Sequence, residues 1–186
     1  MPSDKDRLYV ALYARAGMPT MPRGEDKYHW ALLTGPKTER DEPTGKRYHA
    51  KEQMISIRGH IQSQWQFDER DVSMLATSMI LVRIVVGKIK DRKRVASILR
   101  SIPIRGDQPG WNCVGWVKEA LVALGKDGKA LGTSVIDWRT IRDAALSYVR
   151  HKEAQHRFDG RAQAGIFNAR QVPTYDLIET KQETIP

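Results

Sequence analysis

The sequence predicts a single α+β domain in which helices pack on one face of an antiparallel sheet. Its 186 residues suit one domain. Segments rich in strand formers come first and helical periodicities follow, which is the order typical of this class. A polar stretch around Pro43 and Gly45 predicts a hairpin turn between two of the early strands. We expect the domain to cover residues 1–158, with 159–186 as an irregular C-terminal tail.

The strands are predicted from runs of β-branched, aromatic and aliphatic residues. The first covers residues 8–14, the second 28–34 and the third 47–51, which would pair with the second across the hairpin turn. Residues 81–89, dominated by Val and Ile, predict another strand. Residues 54–58 and 64–67 are weaker candidates.

Three helices are predicted in the second half of the chain. Residues 91–101 carry apolar residues on one side and arginines on the other, and Pro103 ends the helix. A second helix is expected from Cys113 to residue 124, stopped by Gly125. Asp137 is a plausible N-cap for the third helix, which would extend to about residue 154.

Composition narrows the function classes. No apolar run approaches the roughly 20 residues that span a bilayer, and the charged N-terminus shows no secretory signal, so a cytoplasmic protein without membrane contact is expected. A single cysteine excludes an internal disulfide framework. Two histidines and one cysteine without motif spacing argue against a metal site, and no cofactor is expected.

The chain is strongly basic, with a net charge of +9. Concentrated positive charge attracts polyanions such as nucleic acids, although a solvated helix face is an equally good interpretation. One stretch contributes +7 because Asp91 is its single acid. Its basic residues are Arg83, Lys88, Lys90, Arg92, Lys93, Arg94, Arg100 and Arg105.

Cys113 is the candidate nucleophile because it stands in the first turn of its predicted helix. Unpaired N–H groups and the helix dipole at that end favour a thiolate and could stabilise an oxyanion, with Asn112 as a helper. On a helical wheel Cys113 shares a stripe with apolar residues, so the thiol should face the sheet. A lone cysteine is more often a small core residue, and that alternative stays open.

His29 and His49 occupy the middles of the two strands that the hairpin pairs. Their rings could therefore lie in one hydrogen-bonded chain, with His29 as the base and His49 as the group that orients it. Strand histidines commonly pack or face solvent instead.

At these residues the sequence resembles the circularly permuted papain-like fold, in particular the lecithin:retinol acyltransferase-like proteins of the NlpC-type superfamily. The resemblance lies in Tyr28-His-Trp-Ala-Leu32, the later strand with His49, and Asn112-Cys-Val-Gly-Trp-Val117. It implies Cys113 as nucleophile, His29 as base and His49 as third polar residue. Val114-Gly115 replaces the usual Glu-His, and no hydrophobic C-terminal anchor is present, which speaks against a lipid substrate.

A second resemblance is to small proteins of filamentous fungi, within them the arginine-containing cyclodipeptide synthases. It lies in the segments 8–14, 28–32, 47–52, 111–114 and 173–177. It implies that Cys113 takes an aminoacyl group from aminoacyl-tRNA as a thioester, that a second aminoacyl group closes a diketopiperazine, and that the basic stretch binds tRNA. A carboxylate for a substrate arginine would come from Glu25, Asp26, Glu52 or Glu119.

Three alternatives remain from the sequence. Water as acceptor would make the protein a papain-like thiol hydrolase or deconjugase. A non-enzymatic basic nucleic-acid-binding domain would keep Cys113 only as a core residue. A phospholipid acyltransferase is weaker, given the missing anchor.

Overall fold

The structure is a computed structural model that describes residues 5–186. The predicted charged N-terminal segment therefore lies partly outside the described residues. The strands and helices, in chain order, are β1 (Arg7–Ala14), β2 (Tyr28–Gly35), β3 (Thr44–Ile57), β4 (His60–Ser73), β5 (Ile80–Ile89), α1 (Arg92–Ser101), α2 (Cys113–Asp127), β6 (Leu131–Ser134), α3 (Trp138–Ala154), β7 (Thr174–Asp176) and β8 (Gln182–Ile185).

One mostly antiparallel sheet organises the molecule. Its strand order is β4-β3-β2-β1-β5-β7-β8, and β6 pairs with β5 off this path. The pairing of β5 with β7 is parallel, and the other strand pairs are antiparallel. The α+β class and the pairing of the second strand with the third are therefore confirmed.

The sheet buries a separate apolar cluster on each face. On β1, Val10 and Leu12 point into the larger cluster, whereas Tyr9 and Ala11 point into the smaller one, as the period of two in a strand requires. The buried apolar residues of α1, α2 and α3 all belong to the larger cluster, and the buried Lys152 of α3 pairs with Glu183 instead. We call these two sides of the sheet the helix face and the open face.

The hairpin of β3 and β4 is longer than predicted. Two 14-residue strands replace the separate short candidates, and they turn at Arg58 and Gly59, which both have positive φ (51° and 81°). Such a turn matches the twist of the strands. The outer half of the hairpin is exposed on both sides. Because no face of it is buried, its sequence lacks the regular hydrophobic alternation from which a strand is predicted.

The C-terminal tail has no helix or strand over residues 159–173, but it then adds two short strands to the sheet, which the prediction did not include. Its strand β7 pairs with β5, β8 pairs with β7, and the Arg83 Nε donates to Thr174 Oγ1 at 2.8 Å. Strands of three and four residues are too short to show an alternating pattern. They form because the edge of β5 offers unpaired backbone groups to any segment that returns to it.

The helix boundaries follow their capping residues. Asp137 accepts from Thr140 N at 2.9 Å, which confirms the predicted N-cap of α3, and Asp91 caps α1 in the same way by accepting from Arg94 N at 2.9 Å. Helix α2 continues past Gly125 and ends at Gly128, whose φ of 65° suits a glycine. A Cβ at position 125 would collide with Ile136, so Gly125 serves close packing rather than termination. None of the helices formed by residues 5–186 has the length and apolar character that a bilayer crossing requires.

Candidate active site

Helix α2 places Cys113 at its first position, against the sheet. The Asn112 side chain caps the helix by accepting from Val114 N at 2.9 Å. Cys113 lies in the helix-face cluster together with Val117 and Ala120, as the helical wheel predicted. The side chain is fully buried, with 0% exposure.

The thiol lies beside the backbone that carries His29. The Trp30 N–H donates to Cys113 Sγ at 3.5 Å. Two covalent bonds, about 2.9 Å at most, separate that nitrogen from His29 Cα, so the sulfur lies within about 6.4 Å of that Cα. In the described part of the chain, residues 5–186, no hydrogen bond joins the thiol to the imidazole.

The two histidines form the hydrogen-bonded chain that the hairpin predicted. His29 Nε2 and His49 Nδ1 are 2.6 Å apart, and His49 Nε2 lies 3.0 Å from Asp68 Oδ2. The described pairs of β2 with β3 cover only residues 32–34 and 46–48, although both strands extend further. The histidines, and the Trp30 N–H that meets the sulfur, lie where this pairing has ended.

The thiol and the histidines approach the β2 backbone from different faces. Trp30 belongs to the helix-face cluster with Cys113. The His29 ring instead meets Tyr13 of the open-face cluster, with 6.1 Å between the ring centroids. A direct thiol–imidazole contact would therefore require Cys113 or His29 to change its side-chain conformation. The unpaired edge of β2 is where the two side chains could meet.

Asp68 is the site residue that the sequence analysis missed. It faces His49 across the β3–β4 ladder, and its carboxylate also accepts from Lys51 (2.8 Å) and Arg70 (2.9 and 3.0 Å). These partners, Arg70 foremost, hold the pKa of Asp68 well below its usual range. The turn at residues 58–59 was the available signal, since a two-residue hairpin loop there pairs position 49 with position 68.

The ionised Asp68 determines the tautomers of both imidazoles. A carboxylate only accepts, so His49 Nε2–H donates to it, and the Nδ1 of a neutral His49 accepts from His29 Nε2–H. The Nδ1 of a neutral His29 is then an unprotonated base. The hydrogen-bonded chain thus leaves one imidazole nitrogen unprotonated, Nδ1 of His29, and His29 precedes the residue whose N–H meets the thiol.

Burial favours the neutral forms of His29, His49 and Cys113. It lowers the pKa of His29 to about 3, aided by His49 and the nearby arginines, and lowers the pKa of His49 to about 4. Burial also raises the pKa of the Cys113 thiol, although N–H groups of Trp30 and of the helix start oppose this. The predicted helix-stabilised thiolate is therefore wrong for the resting state, because desolvation outweighs the donors. The resting site therefore holds a neutral thiol and a neutral imidazole that are not bonded to each other.

These pKa values predict acid sensitivity. The unfolded histidines bind protons below about pH 6.5, whereas the folded pair stays neutral to about pH 4 and 3. Stability should thus be complete above pH 6.5 and fall towards pH 4, by up to about 1.4 kcal/mol per pH unit for each histidine. Urea unfolding at pH 7.5, 6 and 5 measures this slope.

The matched control for this titration is His60, which is exposed. His29→Gln and His49→Gln should each flatten the slope, and His60→Gln should leave it unchanged. An equal slope in all four proteins would show that the buried pair does not control the acid response.

Met21 lies over the start of α2. The Asn112 Nδ2 contacts Met21 Sδ at 3.6 Å, and Met21 packs on the helix-face cluster. Asp26 holds this segment by accepting from Thr20 N (2.8 Å) and Met21 N (2.9 Å). A substrate therefore reaches the buried sulfur only when a neighbouring segment moves.

The predicted tRNA-binding stretch does not form an unbalanced basic patch. Arg83 is only 1% exposed and pairs with Glu39, so it cannot contact a phosphate, which corrects the prediction for this residue. Among residues 5–186, Lys90 and Lys93 have no ion pair. The remaining pairs are Lys88–Glu179, Arg92–Asp6, Arg94–Asp127, Arg100–Glu69 and Arg105–Glu119. Acids distant in the sequence thus pair with six of the eight basic residues, although Glu179 and Glu69 are shared with other cations.

The acids proposed for a substrate arginine have structural partners or lie in the open. Asp26 holds the Met21 segment, and Glu119 pairs with Arg105 at 2.8 Å. Glu52 is exposed and contacts Ser63. Glu25 is buried, at 4.0 Å from Arg142, and its backbone carbonyl accepts from Trp30 Nε1 at 2.7 Å.

Comparison with known families assigns the chain to a family whose activity is unknown. A model of a family of unknown function, DUF6914, matches residues 5–185. The chain belongs to this family. Searches of curated proteins and of solved structures gave no match. The function of this DUF6914 member therefore has to be inferred from its own site.

Proposed function

We propose that this DUF6914 member is a cysteine-dependent acyltransferase of permuted papain-like architecture that works through a thioester on Cys113. One observation carries the proposal: the Asp68–His49–His29 chain ends at the residue whose neighbour, Trp30, donates to the Cys113 sulfur. A nucleophile, a base and a group that orients the base form the usual machinery of acyl transfer.

The reaction begins with a neutral thiol. On substrate binding, His29 Nδ1 takes the thiol proton while Sγ forms a bond to the acyl carbonyl carbon. The carbon–oxygen bond of the ester then breaks, and the leaving oxygen receives the proton from His29. An amine or water then attacks the thioester and gives a proton to His29, the carbon–sulfur bond breaks, and the sulfur takes that proton to restore the thiol. The Cys113 N–H at the helix start is positioned to stabilise the oxyanion.

Asp68 and His49 act through His29. The ionised carboxylate fixes the tautomer of His49, which in turn leaves His29 Nδ1 free as the base. A positive charge that develops on His29 can be shared along the chain towards Asp68. Hydrogen bonds of this kind often tighten only in the substrate complex, which suits a site whose thiol and base are not yet bonded.

An aminoacyl ester remains the donor that the second resemblance suggests, with aminoacyl-tRNA as its natural form. The ion pairs around the basic stretch weaken the electrostatic argument for tRNA, because few cations are left without acidic partners. The donor must therefore be found by reaction rather than by binding.

The test is intact-mass analysis after incubation with three activated donors: p-nitrophenyl acetate, an acyl thioester and arginyl-tRNA. We expect a mass gain of one acyl group on the wild type, and a faster gain in Met21→Ala, which removes a side chain packed against Asn112, the residue before Cys113. Hydroxylamine should remove the adduct, as expected for a thioester. Absence of any adduct on both proteins with all three donors would reject acyl transfer.

The fate of the adduct distinguishes the acceptors. Loss of the acyl group in buffer alone indicates hydrolysis, whereas loss only after addition of an amine indicates transfer. An adduct that forms with arginyl-tRNA but not with the small donors would support the tRNA-dependent route.

A further inference from the structure

A cavity of about 270 Å³ lies on the open face of the sheet. Its size is close to the lower end of small-molecule sites, about 300 Å³. Its walls are mostly apolar and include Leu33, Val72, Met74 and Ile80. Among the described residues that line it, Arg47 alone carries a charge. Such a lining favours a small ligand with an apolar body and one polar end.

Among residues 5–186, Arg47 has one acidic partner, Asp68, and the contact is long. Its Nη2 lies 3.8 Å from the Asp68 carboxylate, which already accepts from Lys51 and Arg70 at shorter distances. The Arg47 Nε is buried and lacks a hydrogen-bond partner within residues 5–186. Its guanidinium otherwise lies over the ring of Tyr13, at 5.6 Å from the centroid.

The surroundings of Arg47 carry excess positive charge. Arg47, Lys51 and Arg70 converge on the single carboxylate of Asp68. Arg47 and Arg70 also face each other directly across the β3–β4 ladder, where like charges are destabilising. An additional anion next to Arg47 would relieve this repulsion and supply the missing partner.

We propose that this cavity binds a small amphipathic carboxylate, with its carboxylate on Arg47 and its apolar tail between Leu33, Val72 and Ile80. The guanidinium fork suits a carboxylate because two parallel N–H···O bonds can form. The apolar walls select against a purely polar anion. Tyr13 lines the cavity and also packs against the His29 ring in a T-shaped arrangement. The ring of Tyr13 would therefore separate the ligand from the proposed base.

The test uses the Cys113→Ser protein, so that binding is measured whether or not the thiol reacts. Octanoate, acetate and methyl octanoate are titrated by calorimetry and by NMR of the methyl groups. We expect octanoate to bind and to shift the signals of Leu33 and Ile80, but not those of Leu99 in the helix-face cluster. Acetate lacks the tail and methyl octanoate lacks the charge, so each should bind at least about 10-fold more weakly.

Arg47→Met tests the charge, and Lys46→Met is its control because Lys46 lines a different cavity. Arg47→Met should weaken octanoate at least about 10-fold without changing the affinity for methyl octanoate. Lys46→Met should bind like the parent protein. Should Arg47→Met fail to fold, the NMR map of the Cys113→Ser parent protein decides. Shifts absent from Leu33 and Ile80, or octanoate binding unchanged by Arg47→Met, would overturn the proposal, and so would equal binding of octanoate and its ester.

Discussion

Replacing Cys113 with serine is expected to abolish the acyl adduct while leaving the protein folded. A serine hydroxyl preserves the shape and can accept from the Trp30 N–H as the sulfur does. It is a much weaker nucleophile than sulfur unless a strong base activates it, and the neutral His29 has a pKa of only about 3. Intact-mass analysis with the donor that labels the wild type measures the loss, and thermal unfolding verifies the fold.

The histidine chain is tested on the same reaction. His29→Gln should slow acylation by about 10²–10⁴-fold, because proton transfer by the base is lost. Asp68→Asn should have a smaller effect and alter the pH profile, since it acts only by orienting His49. The exposed His60→Gln serves as control. If Cys113→Ser still carries the adduct, or His29→Gln reacts as fast as His60→Gln, the proposed site is not the reactive one.

Arg83→Met is expected to destabilise the protein by about 3–5 kcal/mol, the usual cost of removing one partner of a buried ion pair. Arg83 is 1% exposed and donates to Thr174 Oγ1 at 2.8 Å and to the Met74 carbonyl at 3.2 Å. Its ion-pair partner Glu39, whose side chain is only 6% exposed, would be left without this cation. Denaturant unfolding measures the free-energy change.

Two further variants test whether the loss of stability in Arg83→Met comes from the buried ion pair. Lys90→Met removes an exposed charge from the same strand region and should change stability by less than about 0.5 kcal/mol. Adding Glu39→Gln to Arg83→Met should recover part of the loss, because the uncompensated carboxylate is then removed. A loss for Arg83→Met no larger than that for Lys90→Met would mean that Arg83 behaves as a surface cation, as the sequence suggested.

Elements with strong local patterns were predictable. The first two strands, the strand before α1 and the Asp137 N-cap agree with the structure because burial imposes periodicity and capping imposes residue type. The outer part of the β3–β4 hairpin was anticipated only by the weak candidates at 54–58 and 64–67, and the strands β6, β7 and β8 were missed. These segments are exposed or short, so their pairing with neighbouring strands decides their conformation.

The candidate site shows the same division. Cys113, His29 and His49 could be chosen from the sequence, because a helix start and a predicted hairpin suggested their proximity. Asp68 could not be chosen without the register of β3 and β4, which assigns it to His49. The sequence predicted a lowered pKa for the Cys113 thiol, whereas the structure raises it. The effect of the helix N-terminus depends on neighbouring residues, but the burial that outweighs it comes from the whole core.

By itself the sequence determined the α+β class and the order of the main elements, and it suggested three residues of the candidate site, since these depend on periodicity and capping within short segments. Only the tertiary structure decided that Asp68 completes the chain, that burial makes Cys113 and the histidines neutral, and that distant acids offset the basic stretch. Burial and charge pairing depend on which segments meet in space, and residues far apart in the chain supply both.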